Sequence, residues 1–173
     1  MPATRKEVMA NYEVETMTGV STQEEADTLI IYHAVEVASN GMNVHIYSQD
    51  TDVLLLALRR TPLLDNHSAL IMGTSERRRK VFLQPIYDKL GPEKSAALIN
   101  WYALTGCDTT GHIQGKGKKG CFTTVLKASP TILRALADLG EGDEPSEEVL
   151  RGCEDFFALF SLQLESTLGK QRC

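Results

Sequence analysis

Ser48-Gln49-Asp50-Thr51-Asp52 separates two apolar runs of different period. Before it, Val44 and Ile46 form an apolar alternating run, the period of a strand. After it, Val53 to Leu58 is a continuous apolar run closed by Arg59-Arg60 and Thr61-Pro62, which reads as a helix from Thr51 to Arg60. The stretch is therefore a strand-to-helix turn that carries two carboxylates, and it sets the fold class as α/β. Open α/β sheets take ligands at the carboxyl ends of their strands, so Asp50 and Asp52 are candidate ligands for a hard cation. The same residues have a structural use, because Asp50 or Thr51 can cap the helix that follows. Both readings stand at this point.

Working outward, Ser21 precedes Glu24 and Thr22 precedes Glu25 by three, two overlapping capping boxes that open a helix. Ala26, Leu29, Ile30, His33, Ala34, Val37 and Ala38 then recur at helical spacing until Asn40-Gly41. On that stripe His33 is expected to be a core histidine. Met42 to Ser48 reads as a strand, of which Val44 to Ser48 is expected to be a buried parallel strand flanked by this helix and the next. Ser68 to Met72 and Lys80 to Leu83 read as short strands around a Gly-Thr-Ser turn, either a hairpin or two separate sheet strands. Helical character resumes at Pro85, and Pro92 suits the first turn of a second helix reaching about Leu104.

Downstream, Gly111 to Gly120 holds four glycines interleaved with lysines. Bare backbone N–H groups beside positive charge suit a phosphate-binding turn at a helix start. No glycine stands five before a Gly-Lys-Ser/Thr, so the P-loop is excluded, and a flexible basic linker is the other reading. A helix over 131–139, an acidic loop and a final helix with an apolar stripe (Val149, Leu150, Cys153, Phe156, Phe157, Phe160) complete the chain. Three segments result: an irregular 1–20, a main unit over 21–139 containing the basic turn 111–120, and an acidic loop with its helix over 140–173.

The chain has 173 residues, 42% hydrophobic and 24% charged, with a net charge of −5. That composition suits one domain with a real core, and no apolar run approaches a bilayer span. Without a secretory signal, an intracellular protein with no membrane association is expected. Cys107, Cys121, Cys153 and Cys173 include no C-x-x-C pair, so reduced thiols are expected; Cys107, His112 and Cys121 fit no usual zinc spacing. The acidic balance opposes wholesale wrapping of nucleic acid. Contact with it would be local, through Arg59-Arg60, Arg77 to Lys80 and Lys116 to Lys119, or through bridging metal ions.

Glu25 and Asp27, Asp50 and Asp52, and Asp108 form three acidic stations ahead of Gly115, Lys116, Gly117, Lys118 and Lys119. Their order resembles the flap-endonuclease branch of the PIN-like nucleases, in which Glu-Ala-Glu, Asp-x-Asp and Gly-x-Asp stations gather divalent metals and a Gly-x-Gly turn holds the DNA backbone. Ala103-Leu104-Thr105-Gly106-Cys107-Asp108-Thr109-Thr110 also resembles a signature of PIN-like proteins of animals. The resemblance covers Ser21 to Lys127. It implies a three-layer, resolvase-like sheet with flanking helices, followed by a helix-turn-helix element on the DNA backbone and C-terminal helices. It further implies Glu25, Asp27, Asp50, Asp52 and Asp108 as ligands of two Mg²⁺ or Mn²⁺ ions, the four aspartates being catalytic. The partner implied is nucleic acid, DNA before RNA, and the compartment the nucleus before the cytoplasm.

Three departures accompany the matches. Asp27 stands where Glu is commoner, Thr109-Thr110 where an aromatic often follows, and residues 1–20 offer no apolar strand ending in aspartate. The expectation is thus a nuclease domain without its first strand, either a fragment or a decayed copy. Its activity is metal-dependent phosphodiester hydrolysis of structured nucleic acid; the alternative is a catalytically inactive PIN-like module that binds nucleic acid or protein.

Overall fold

The computed structural model describes residues 26–106 and 118–170. Helix α1 (Ala26–Ser39) ends at Asn40-Gly41, strand β1 spans His45–Tyr47, and α2 spans Thr51–Arg60. A Pro-containing 3₁₀ turn at Thr61–Leu63 then leads to β2 (Ala69–Met72) and β3 (Arg79–Phe82). Five helices complete the chain: α3 (Leu83–Leu90), α4 (Pro92–Leu104), α5 (Lys118–Lys127), α6 (Pro130–Asp138) and α7 (Glu147–Lys170). The fold is α/β, mostly helical, with a small open sheet.

The sheet runs β1-β2-β3. β1 and β2 are parallel, joined through α2, and β2 and β3 form an antiparallel hairpin. Expectation and structure part company at β1, which is only half buried. Ile46 points into the core while His45 and Tyr47 face solvent, and β1 lies at the edge of the sheet. The alternation Val44-His45-Ile46-Tyr47 was the pattern of a one-sided strand, not of one covered on both faces.

Helix α1 also turns differently from the expected stripe. Ile31 and Ala34 are buried with Val35 and Ala38 packed behind them, whereas His33 is exposed and meets Glu36 at 3.4 Å. His33 is a surface histidine. Apolar residues surround this helix, so two stripes one position apart both fit its sequence, and packing against α2 selects the one through Ile31.

The core is continuous from α1 to α7, with Val53, Leu70, Leu83, Leu98, Val125, Leu136 and Phe156 all fully enclosed. The final helix is therefore packed onto the rest and shares its interior, while the acidic loop before it is exposed along its length. Helix α4 is the hub, lying against α2, α3, α5 and α6. Its Asn100 side chain donates to the carbonyls of Leu136 (2.8 Å) and Leu139 (2.7 Å), which the end of α6 leaves without helical partners. Ser129 caps α6 through the Ile132 N–H (3.4 Å), and Ser146 caps α7 through the Val149 N–H (3.3 Å). Gly152 lets α7 approach α6 closely, since a Cβ there would overlap that of Ala135. At the far end of α2, the Arg59 guanidinium reaches the Ala137 carbonyl (3.3 Å) and the Glu141 carboxylate (2.5 Å).

Helix α5 follows the Gly/Lys stretch as a turn at a helix start would require, but the sequence reading sets no bounds for it, and it begins inside the stretch 111–120 read as non-helical. Cys121, Thr124 and Val125 are buried along it, and Phe122 packs on Trp101 with ring centroids 5.4 Å apart. The burial of one face outweighs the poor helix propensity of Gly120, Thr123, Thr124 and Val125.

Candidate functional site at the carboxyl end of the parallel strands

Helix α1 leads into β1 through Asn40-Gly41, and β1 leads into α2 through the three residues 48–50. The two helices pack against each other, and α1 also touches the turn that follows α2. Asp27 lies in the first turn of α1 and Asp52 in the first turn of α2, with Asp50 at the N-cap position.

A cleft of about 350 Å³ opens there, bordered by Tyr47, Ser48, Gln49, Asp50, Ile71, Gly73 and Arg78. Its walls are two turns, the one after β1 and the one after β2. Gln49 joins them: its Nε2 donates to the Gly73 carbonyl (2.9 Å) and its Oε1 accepts from the Gly73 N–H (2.8 Å). Gly73 has φ +89°, and a Cβ at this position would overlap the Arg77 carbonyl, so only glycine fits. Arg77 N–H in turn donates to the Thr74 carbonyl at 2.7 Å, which folds the chain back so that Arg78 borders the cleft.

Asp50 has cap geometry (φ −85°, ψ 135°) but its carboxylate makes no cap hydrogen bond. The local bond runs the other way, the Asp50 N–H donating to Ser48 Oγ at 3.1 Å. The capping use of Asp50 is thus not realised through its side chain. An exposed carboxylate remains beside a helix N-terminus, where backbone dipoles favour negative charge. Arg78 borders the same cleft without an ion pair to it.

Of the residues singled out by sequence, Asp27, Asp50 and Asp52 lie at helix starts, and of these three only Asp50 borders the cleft. Glu25, Asp108, Gly115, Lys116 and Gly117 lie outside the described residues, as do residues 1–20. Lys118 and Lys119 are the first two residues of α5. Among the described residues no three His, Cys, Asp or Glu side chains are grouped closely enough to hold a metal ion. No described helix is long and apolar enough to cross a membrane. Gln49 and Gly73 were missed as site residues, although the Gly-Thr-Ser turn had been noted. Their partnership spans 24 residues and has no local signature.

No family model matches the chain, and no curated protein or solved structure matches it either.

Proposed function

We propose that the chain carries part of a PIN-like, flap-endonuclease-type site that hydrolyses phosphodiester bonds in structured DNA or RNA with two Mg²⁺ or Mn²⁺ ions. The observation that carries this reading is the Asp50 carboxylate, exposed at the carboxyl end of a parallel strand, unused by the helix it precedes, and bordering a cleft with Arg78. Carboxylate oxygens are the donors that hard divalent ions prefer, and the sequence resemblance implies Asp27 and Asp52 as further ligands. Glu25 and Asp108 complete the donor set that the sequence resemblance implies. Divalent ions held by these carboxylates would supply an activated water and charge neutralisation at the phosphate, with the protein positioning them. The chain's own task is to fix the turn that bears Asp50, which the Gln49–Gly73 bonds perform, and to grip a neighbouring phosphate with the basic turn leading into Lys118 and Lys119.

The test is Asp50→Asn on a branched DNA substrate. Loss of Mg²⁺-dependent cleavage and weakened Mn²⁺ binding by calorimetry, with substrate affinity retained, supports hydrolysis. Lys118→Ala with Lys119→Ala is expected to weaken substrate binding and to lower its salt slope by up to about two. Binding through those lysines without any cleavage that Asp50→Asn removes would replace the nuclease with a non-catalytic nucleic-acid module. The unpaired cations Arg77 to Lys80 on the β2–β3 hairpin favour that second reading.

A further inference from the structure

The two faces of the sheet differ. Register sets His45, Ala69 and Phe82 in one row and Tyr47, Ile71 and Lys80 in the next. Directly paired residues share a face, so these six lie opposite the face that Ile46 and Leu70 turn to the core. Tyr47 is 68% and Phe82 44% exposed, while Ala69 between them is fully buried. Two aromatic side chains thus reach solvent on β1 and β3, about 12 Å apart once strand spacing and the two-residue offset are combined, on either side of Ala69 and Ile71.

Positive charge lies against the rings. Lys80 Nζ sits 4.8 Å from the centroid of Phe82. Arg78, in extended backbone just ahead of β3, borders the cleft with Tyr47 and Ile71. Among the described residues Arg77, Arg78, Arg79 and Lys80 take part in no ion pair, in a chain whose net charge is −5. Cations outside the ion pairs of the described residues, one of them over the Phe82 ring, together with two exposed aromatic side chains match a ligand that alternates phosphates with flat rings.

We propose that this sheet face binds single-stranded nucleic acid, with bases stacked on Tyr47 and Phe82 and phosphates held by Arg78 and Lys80. A duplex hides its base faces in its own stack, so only an unpaired strand can use the rings. Stacking is indifferent to sequence, because every base presents a flat face. The proposal uses none of the residues of the Gly/Lys stretch 111–120, and binding here requires no hydrolysis.

The experiment uses the full chain in EDTA, with fluorescein-labelled oligothymidylate and oligouridylate of about 12 nucleotides and a duplex of equal length. Both single strands are expected to bind at low salt more tightly than the duplex; a preference for one sugar identifies whether DNA or RNA is the source. Tyr47→Ala and Phe82→Ala should each weaken binding about 5- to 100-fold, whereas Tyr47→Phe retains it. Arg78→Ala with Lys80→Ala should lower the salt slope by about 1.4, since a phosphate contact on a single strand contributes about 0.7. Arg134→Ala, an exposed cation on α6, should change nothing. The proposal is overturned if the oligonucleotides fail to bind, if the duplex binds as well, or if folded Tyr47→Ala and Phe82→Ala proteins bind like the parent. Self-association in sedimentation velocity that Phe82→Ala abolishes, without oligonucleotide binding, would assign the face to a second copy instead.

Discussion

Gln49 and Gly73 exchange two hydrogen bonds through one side-chain amide, so a side chain stands in for a rung of the β ladder just beyond the point where β1 and β2 stop pairing. The cleft keeps its shape through this link between turns. Gln49→Ala is expected to cost about 1 kcal/mol in urea denaturation, the net worth of two exposed bonds. Gln49→Glu should cost at least as much, because a carboxylate cannot donate to the Gly73 carbonyl and would face its oxygen instead.

Asp50→Asn is expected to have little effect on stability, because the carboxylate makes no cap bond. What it loses is its interaction with the helix dipole, about 0.3–1 kcal/mol at low salt, which should vanish in concentrated salt. Ser48→Ala should cost about 1 kcal/mol at any ionic strength by removing the acceptor of the Asp50 N–H. Denaturation midpoints of both variants across a salt series separate the two effects.

Gly152→Ala should destabilise the protein by about 1–3 kcal/mol, the usual cost of inserting a methyl where two backbones already touch. Ala135→Gly in the same chain should recover part of that loss, since it removes the atom that the new Cβ strikes. A double-mutant cycle in denaturant checks the coupling.

Burial pushes the Cys153 thiol above its ordinary value of 9.0. The unfolded chain therefore ionises this thiol more readily than the folded one. The stabilising contribution is fully present below pH 9.0 and declines as pH rises from there toward the folded thiol's own ionisation. Cys153→Ala should flatten that alkaline part of the stability profile. In the native protein Cys121 and Cys153, both buried, should react with a disulfide reagent far more slowly than after unfolding.

Helix α2 was legible from its residues because punctuation bounded it on both sides, acids before it and Arg-Arg-Thr-Pro after it. The start of α4 at Pro92 was legible for the same reason. The buried face of α1 was not, because Leu29 to Ala38 is apolar on nearly every side and only tertiary packing decides between neighbouring stripes. The bounds of helix α5 escaped notice because its formation depends on burying Cys121 and Val125 against other helices, while its local propensities are unfavourable. At the candidate site, Asp50 announced itself through its strand-to-helix position. The companions that shape the cleft, Gly73 and Arg78, sit on a hairpin whose pairing partner could be chosen only in three dimensions.

The reach of Arg59 to Ala137 and Glu141 crosses sequence separations of 78 and 82 residues. Such a contact closes a long loop, and it can form only when α2 and the end of α6 have already taken their places. It belongs to the late side of the folding barrier. Arg59→Met should therefore leave the refolding limb of a chevron nearly unchanged and raise the unfolding limb, making the clamp a determinant of how long the native state lasts and not of how quickly it is reached.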